Sequence, residues 1–189
     1  MNQEGRRTAG ILLHITSLPG NGASGDLGGN AYRYVDFLQA AGMGIWQMLP
    51  IGPTQADGSP YQTISVHAGN PELIDLAPLV EEGWLPPGVL DRSLATGEKA
   101  GLLAEAWRAF DAGADAQARE ALDRFIGEES YWLEDYALFR VLHQANGERS
   151  WWEWPAALRR REPRALGQAR RRLREPLAVI RFQQFNFYR

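Results

Sequence analysis

The sequence predicts an α/β protein that begins with a pair of parallel strands and continues into a mainly helical insertion. Three observations carry that expectation. Two short apolar runs, Ile11 to Ile15 and Ile45 to Leu49, each end in a turn rich in Gly, Pro and small polar residues. A segment of helical periodicity separates them. After Pro78 the texture changes to Ala, Leu, Glu and Arg.

Ile11 to Ile15 has strand length and is closed by Thr16-Ser17-Leu18-Pro19-Gly20. A run apolar on both sides suits a strand covered on both faces. The Gly-rich loop GNGASGDLGG follows, and Asn30 is the expected N-cap of a helix. Tyr34, Phe37, Leu38 and Ala41 recur at helical spacing, and Gly42 stands where a left-handed cap ends a helix. Ile45 to Leu49 is then a second strand, cut off by Pro50 and Gly52. Strand, helix and strand over this span make a βαβ unit with parallel strands.

From Leu79 to Gly147 the pattern is helical, interrupted at Pro86-Pro87-Gly88 and Gly113. Trp132, Tyr136, Phe139 and His143 fall on one helical stripe. Trp151-Trp152-Glu153-Trp154-Pro155 reads as an aromatic turn, and Leu158 to Arg174 as one charged helical stretch. The last residues crowd Leu177, Ile180, Phe182, Phe185, Phe187 and Tyr188 together. A helix so apolar needs partner surface on more than one side. Two parallel strands cannot close a barrel, so the chain reads as unfinished, and the expectation is an exposed aromatic C-terminal helix and poor solubility.

Composition narrows the function. The 189 residues are 44% hydrophobic and 23% charged with a formal net charge of −3, which excludes a disordered chain. Mild acidity gives no global reason to expect nucleic acid or an anionic membrane as partner. There is no cysteine, which excludes disulfides, thiolate metal sites and a thiol nucleophile. MNQEGRRTAG lacks the apolar core of a secretory signal, and no apolar run approaches a membrane span. A cytoplasmic protein is expected.

The turns hold the candidate sites. Gly20 to Gly29 joins strand to helix, but no Lys-Ser/Thr pair follows its glycines and Gly-x-Gly-x-x-Gly is absent, so a βα loop is expected rather than a nucleotide cradle. Ser59-Pro60-Tyr61-Gln62 is the sharpest signal. Sugars present apolar C–H faces edged by hydroxyls, and their sites pair an aromatic ring with hydrogen-bonding groups. Tyr61 supplies both, Ser59 and Gln62 add polar groups, and Pro60 stiffens the turn. On the residues alone Tyr61 is open to a second reading, an anchor fixing a long loop to the core.

The remaining candidates read as structural. His14, His67 and His143 show no metal-ligand spacing, so no metal is expected. Ser17 lacks a Gly-x-Ser-x-Gly setting. Trp151, Trp152 and Trp154 are read as a packed corner. Arg159 to Arg161 and Arg170 to Arg172 are read as a solvated face.

The stretches from Arg7 to about Leu85, with Ser-Leu-Pro-Gly, Gly-Asp-Leu-Gly and Ser-Pro-Tyr-Gln, closely resemble the N-terminal part of the 4-α-glucanotransferases (amylomaltases, or disproportionating enzymes). Glu134 to Phe139, Trp151 to Arg161 and Arg181-Phe182-Gln183-Gln184-Phe185 add to the resemblance. It implies a (β/α)8 barrel with helical insertions, incomplete here. Residues 1–78 would be the first βαβ unit and substrate loop, 79–175 the helical insertion, and 176–189 a helix leading to a third strand.

The resemblance also implies transfer of α-1,4-glucan segments to the 4-hydroxyl of an acceptor glucan or glucose, with retention and without a cofactor. Such chemistry uses a carboxylate nucleophile and a carboxylic acid about 5–5.5 Å apart. In the family these lie on later strands. Asp26, Asp57, Glu72 and Asp75 match none of them, so no catalytic residue is expected in this chain and it should be inactive alone. Maltooligosaccharides or other α-1,4-glucans are the implied partners. The resemblance selects the platform reading of Tyr61, under the glucose unit next to the scissile bond, with Ser59 and Gln62 beside it. It gives Gly25 and Asp26 the rim of the cleft. Gln55-Ala56-Asp57-Gly58 departs from the family's Gly-Tyr-Gly-Asp and lacks its aromatic. The alternative is a non-catalytic glucan-binding or interaction fragment, which should end polar and capped.

Overall fold

The computed structural model describes residues 7–20, 24–55 and 57–189. Asn21, Gly22 and Ala23 of the Gly-rich loop, and Ala56 of the 55–58 stretch, lie outside the described residues. The chain divides into two compact units, Met1–Ala106 and Trp107–Arg189.

In the first unit, strand β1 (Gly10–Leu12) pairs in parallel with β2 (Ile45–Gln47), with Gly10, Ile11 and Leu12 opposite Ile45, Trp46 and Gln47. Helix α1 (Gly29–Ala40) connects them, as the hydrophobic spacing predicts. Gly42 ends α1 at φ +72°, a conformation that an L side chain resists. Met43 N–H reaches back to Leu38 O at 2.9 Å and Gly42 N–H to Gln39 O at 3.0 Å, the paired bonds of a Schellman cap. Tyr34 meets Trp46 edge to face at 4.9 Å, so the helix rests on the second strand.

Three expectations for this unit need correction. The N-cap of α1 is Gly28 rather than Asn30, whose side chain instead accepts from Arg33 at 2.6 Å. Asp26 Oδ1 takes the Gly28 N–H at 3.1 Å, so a residue before the cap shapes this entry. The strands are shorter than the apolar runs. Past Leu13, whose N–H still reaches Gln47 O at 3.0 Å, the backbone turns and Ser17 N–H bonds to His14 O at 2.9 Å. Ile15 leaves the ladder and is fully buried in that turn. Nor are both strand faces covered: Leu12 is 58% and Ile45 53% exposed. Among the described residues each strand pairs along one edge only.

The buried side chains of this unit lie mostly beyond the strands. Leu73, Ile74, Leu76 and Leu79 are buried around α2 (Ala77–Glu81), with Leu85, Val89, Leu102 and Leu103 farther along. Asn70 Oδ1 and Asp75 Oδ1 accept the N–H groups of Glu72 and Ala77 at 3.0 Å each, capping two successive turns. Helix α3 (Glu98–Gly113) runs across the boundary between the units.

The second unit is all helix: α4 (Ala116–Glu128), α5 (Ser130–Ala145), α6 (Ala156–Arg159), α7 (Pro163–Arg172) and α8 (Arg174–Tyr188). Asp115 caps α4 by accepting from Ala118 N–H at 2.8 Å. The stretch from Leu158 to Arg174 is not one helix. Glu162 is extended at ψ 126° before Pro163, because a residue preceding proline is driven out of the helical region.

Helix α8 corrects the expectation of an exposed aromatic end. It packs on α4, α5 and α7, and Leu177, Ile180, Phe182 and Phe185 are buried. The Phe182 ring sits 5.2 Å from Phe110 and 5.7 Å from Trp107, and Phe185 sits 5.8 Å from Phe125. The partner surface that this helix needs is present on several sides. Tyr188 remains half-exposed at its end.

Candidate glucan-facing loop

The loop after β2 is long but pinned. Asn70 N–H bonds to Ile51 O at 2.9 Å, closing its base, and Ile64 N–H bonds to Pro53 O at 3.0 Å. Thr63 Oγ1 donates to Ser65 O at 2.8 Å, and Ser65 Oγ accepts the Ala68 N–H at 3.0 Å. Gly52 is required at this base: a Cβ there would stand 2.2 Å from Thr63 Oγ1 and 3.0 Å from Ser65 O.

Two turns stack at the tip. Gly58 N–H bonds to Gln55 O at 3.0 Å, and Gln62 N–H to Ser59 O at 3.1 Å. Asp57 Oδ1 accepts the Ser59 N–H at 3.1 Å. The Asp57-to-Gln62 stretch is therefore held by its own hydrogen bonds, and Tyr61 within it is turned to solvent. Tyr61 is 73% exposed, which excludes its role as an anchor to the core within this chain. Gln62 is exposed beside it and Ser59 is half-buried.

The first βα loop is tied to the same region. Lys99, 7% exposed, donates from Nζ to Asp26 Oδ2 at 3.3 Å, Glu72 O at 2.8 Å and Ile74 O at 2.7 Å. Leu27 N–H adds a bond to Leu73 O at 2.9 Å. A cavity of about 300 Å³ opens here, lined by Thr16, Asp26, Thr54, Gly58, Glu72 and Lys99 among others. Asp26 thus stands on a cleft that Thr54 and Gly58 of the Tyr61 loop also line. Sequence reasoning missed Lys99. Its position at the start of α3 marks it as an ordinary solvated lysine, and only the folded chain brings three acceptors to it.

Three aspartates of this unit are engaged in structural hydrogen bonds. Asp26 holds Lys99 and the Gly28 N–H, Asp57 the Ser59 N–H, and Asp75 the Ala77 N–H. Among the described residues no group of three His, Asp or Glu side chains is placed to hold a metal ion. His14, at the end of β1, has its imidazole held below the ordinary histidine value by desolvation, and its Nδ1 lacks a hydrogen-bond partner. His143 stacks on Phe139 at 5.7 Å.

In the second unit the aromatic turn is only partly packed. Trp154 is buried, with Nε1 donating to Arg149 O at 2.9 Å and its ring 5.7 Å from Phe139. Trp151 and Trp152 are exposed, which corrects the expectation of a fully packed corner. The difference arises because the turn places only its last indole toward α5. Arg159 to Arg161 and Arg170 to Arg172 are exposed, as a solvated face requires. Burial lifts the Tyr136 phenol to about 12, against a smaller opposing effect of Arg140.

Among the described residues no helix is long and apolar enough to cross a membrane. Known proteins match the chain along nearly its whole length. A family model described as 4-alpha-glucanotransferase matches residues 13–189. The 4-alpha-glucanotransferase of Thermus thermophilus is 45% identical over 190 residues, covering 97% of this chain and 38% of that protein. The enzyme of that name from Aquifex aeolicus is 40% identical, again over 97% of this chain and 38% of its own length. Among solved structures, an amylomaltase from Streptococcus agalactiae in complex with acarbose superposes with a TM-score of 0.89 at 33% identity, over 97% of this chain and 39% of that one. The chain spans under two fifths of the length of these relatives. With a family model matched from residue 13 to 189, it belongs to the 4-alpha-glucanotransferase family.

Proposed function

We propose that these residues form the N-terminal part of a 4-α-glucanotransferase acting on α-1,4-glucans. In this reading β1 and β2 are the first two strands of a (β/α)8 barrel. Residues 1–78 carry the first βαβ unit and substrate loop, 79–175 the helical insertion, and 176–189 the helix toward a third strand. Tyr61 is the platform under a glucosyl unit beside the scissile bond, with Ser59 and Gln62 hydrogen-bonding at its edge. The carboxylates that break the bond and form the glycosyl-enzyme are supplied from outside these residues. An acceptor 4-hydroxyl then attacks that intermediate and restores the original configuration.

The observation that carries the reading is the exposed Tyr61 ring on a loop hydrogen-bonded at its base and in the Ser59-to-Gln62 turn. An aromatic face left in water on a rigid support is suited to stack on the C–H face of a sugar. The test pairs two assays on the chain. Calorimetry with maltoheptaose should show binding, and incubation with maltotriose should release no glucose. Glucose release by the chain alone would place the carboxylates within it and overturn that part of the reading.

One observation favours a second reading, a non-catalytic glucan-binding fragment. Helix α8 buries its apolar residues in the second unit's own core. Binding without transfer fits both readings. Transfer restored by adding the remaining length of a relative as a separate chain selects the first.

A further inference from the structure

We infer that the second unit carries its own binding site for an α-1,4-glucan chain, built on Trp151 and Trp152. It rests on the reading that α-1,4-glucan is the substrate, and it does not involve Tyr61. The two indoles are 50% and 59% exposed, with ring centroids 5.9 Å apart and planes at 81°. Indoles are rarely left in water without a partner, because each offers one of the largest apolar faces of any side chain.

The platform is rigid. Glu153 N–H bonds to Ser150 O at 2.9 Å and Trp154 N–H to Trp151 O at 3.2 Å. The buried Trp154 indole, bonded to Arg149 O, anchors the turn from below. Arg159 Nη1 donates to Trp152 O at 3.1 Å and latches it from the side. Binding therefore requires little further ordering of the backbone.

Trp151 also forms one wall of a cleft of about 510 Å³ that lies wholly within this unit. Its floor is apolar, from Phe139, Leu142 and Leu158 among others, and its rim is polar. Arg161 grips both oxygens of Asp135 at 2.8 and 2.9 Å on that rim, beside Arg159. An apolar wall edged by paired donors and acceptors, with no excess of either charge sign beyond Arg159, matches a neutral polyol better than an anion or a lipid. Successive units of an α-1,4-glucan turn with respect to one another. Two aromatic faces set at an angle meet consecutive units where two coplanar rings would not. A second attachment point on a polymeric substrate raises its effective concentration without new chemistry.

The test uses the whole chain and β-cyclodextrin, a ring of α-1,4-linked glucose with the curvature already set. Calorimetric titration in the Tyr61→Ala background, which silences the first unit's loop, should show binding that weakens at least tenfold on adding Trp151→Ala or Trp152→Ala. Leu158→Arg, which fills the cleft while both indoles stay in the chain, should weaken it too. Indole N–H resonances provide a readout on the unaltered protein: those of Trp151 and Trp152 should shift on titration, and those of Trp46 and Trp154 should not. Binding that survives both tryptophan substitutions, or no binding at 10-millimolar-order ligand (roughly the range of weak sites), overturns the inference. Loss in Tyr61→Ala alone would overturn it while leaving the proposed function standing. Displacement by an apolar peptide but not by maltoheptaose would assign the cleft to a protein partner instead.

Discussion

Lys99 Nζ lies 3.3 Å from Asp26 Oδ2 and bonds at the same time to the carbonyl oxygens of Glu72 and Ile74. The pair ties the loop after β1 and the turns before α2 to the first turn of α3. Lys99 and Asp26 are 9% and 16% exposed at the side chain, so little water screens them. Lys99→Met leaves two carbonyls and a carboxylate without their donor, and should cost about 3 kcal/mol of unfolding free energy. Asp26→Asn should cost less, since both carbonyl bonds remain. Urea unfolding of the two variants checks the order.

The cluster of Phe110, Phe182 and Trp107 governs the second unit. Phe182 is fully buried with both rings within 6 Å. Phe182→Ala should destabilise this unit by about 4 kcal/mol, the usual cost of an aromatic cavity. Tyr188→Ala, at a half-exposed ring, should cost under about 1 kcal/mol. Thermal melts followed by near-ultraviolet circular dichroism separate the two.

Aggregation should come from the strand pair rather than from α8. Leu12, Val35, Phe37 and Ile45 are exposed in the first unit, while the aromatics of α8 up to Phe185 are covered. Leu12→Lys with Ile45→Lys should raise the monomer fraction in size-exclusion chromatography severalfold, and Tyr188→Lys should leave it unchanged. The reverse order would return the liability to the C-terminal helix.

His14 sets an acid dependence. Desolvation holds its imidazole below the ordinary value of 6.5. The unfolded chain therefore binds a proton that the folded chain resists. Its contribution to stability is full above pH 6.5, falls as pH drops from 6.5 through the folded value, and levels off below that. His14→Gln should flatten the melting temperature measured between those limits, and an unaltered slope would assign the acid dependence elsewhere.

Local chemistry was legible in the sequence and long-range partnership was not. Gly42 after an apolar helical stripe specifies the Schellman cap whatever surrounds it. The Pro163 break was also written in the chain, since proline forces Glu162 out of the helix, although the charged pattern on either side obscures it. The burial of α8 depends on Phe110 and Phe125, far away in sequence, and no periodicity within the helix reveals them. Lys99 is the same case in polar form. The Ser59-to-Gln62 signal was legible as residue types, whereas the closing of its loop by bonds between Ile51, Pro53, Ile64 and Asn70 and the exposure of Tyr61 were not.

The central claim is that Tyr61 meets an α-1,4-glucan. Its most direct test is calorimetric titration of the chain and of Tyr61→Ala with maltoheptaose, each in the Trp151→Ala, Trp152→Ala background to silence the second unit. The account predicts measurable binding that weakens at least tenfold without the ring, and Ser59→Ala weakening it a fewfold. Equal affinity with and without Tyr61 would contradict it.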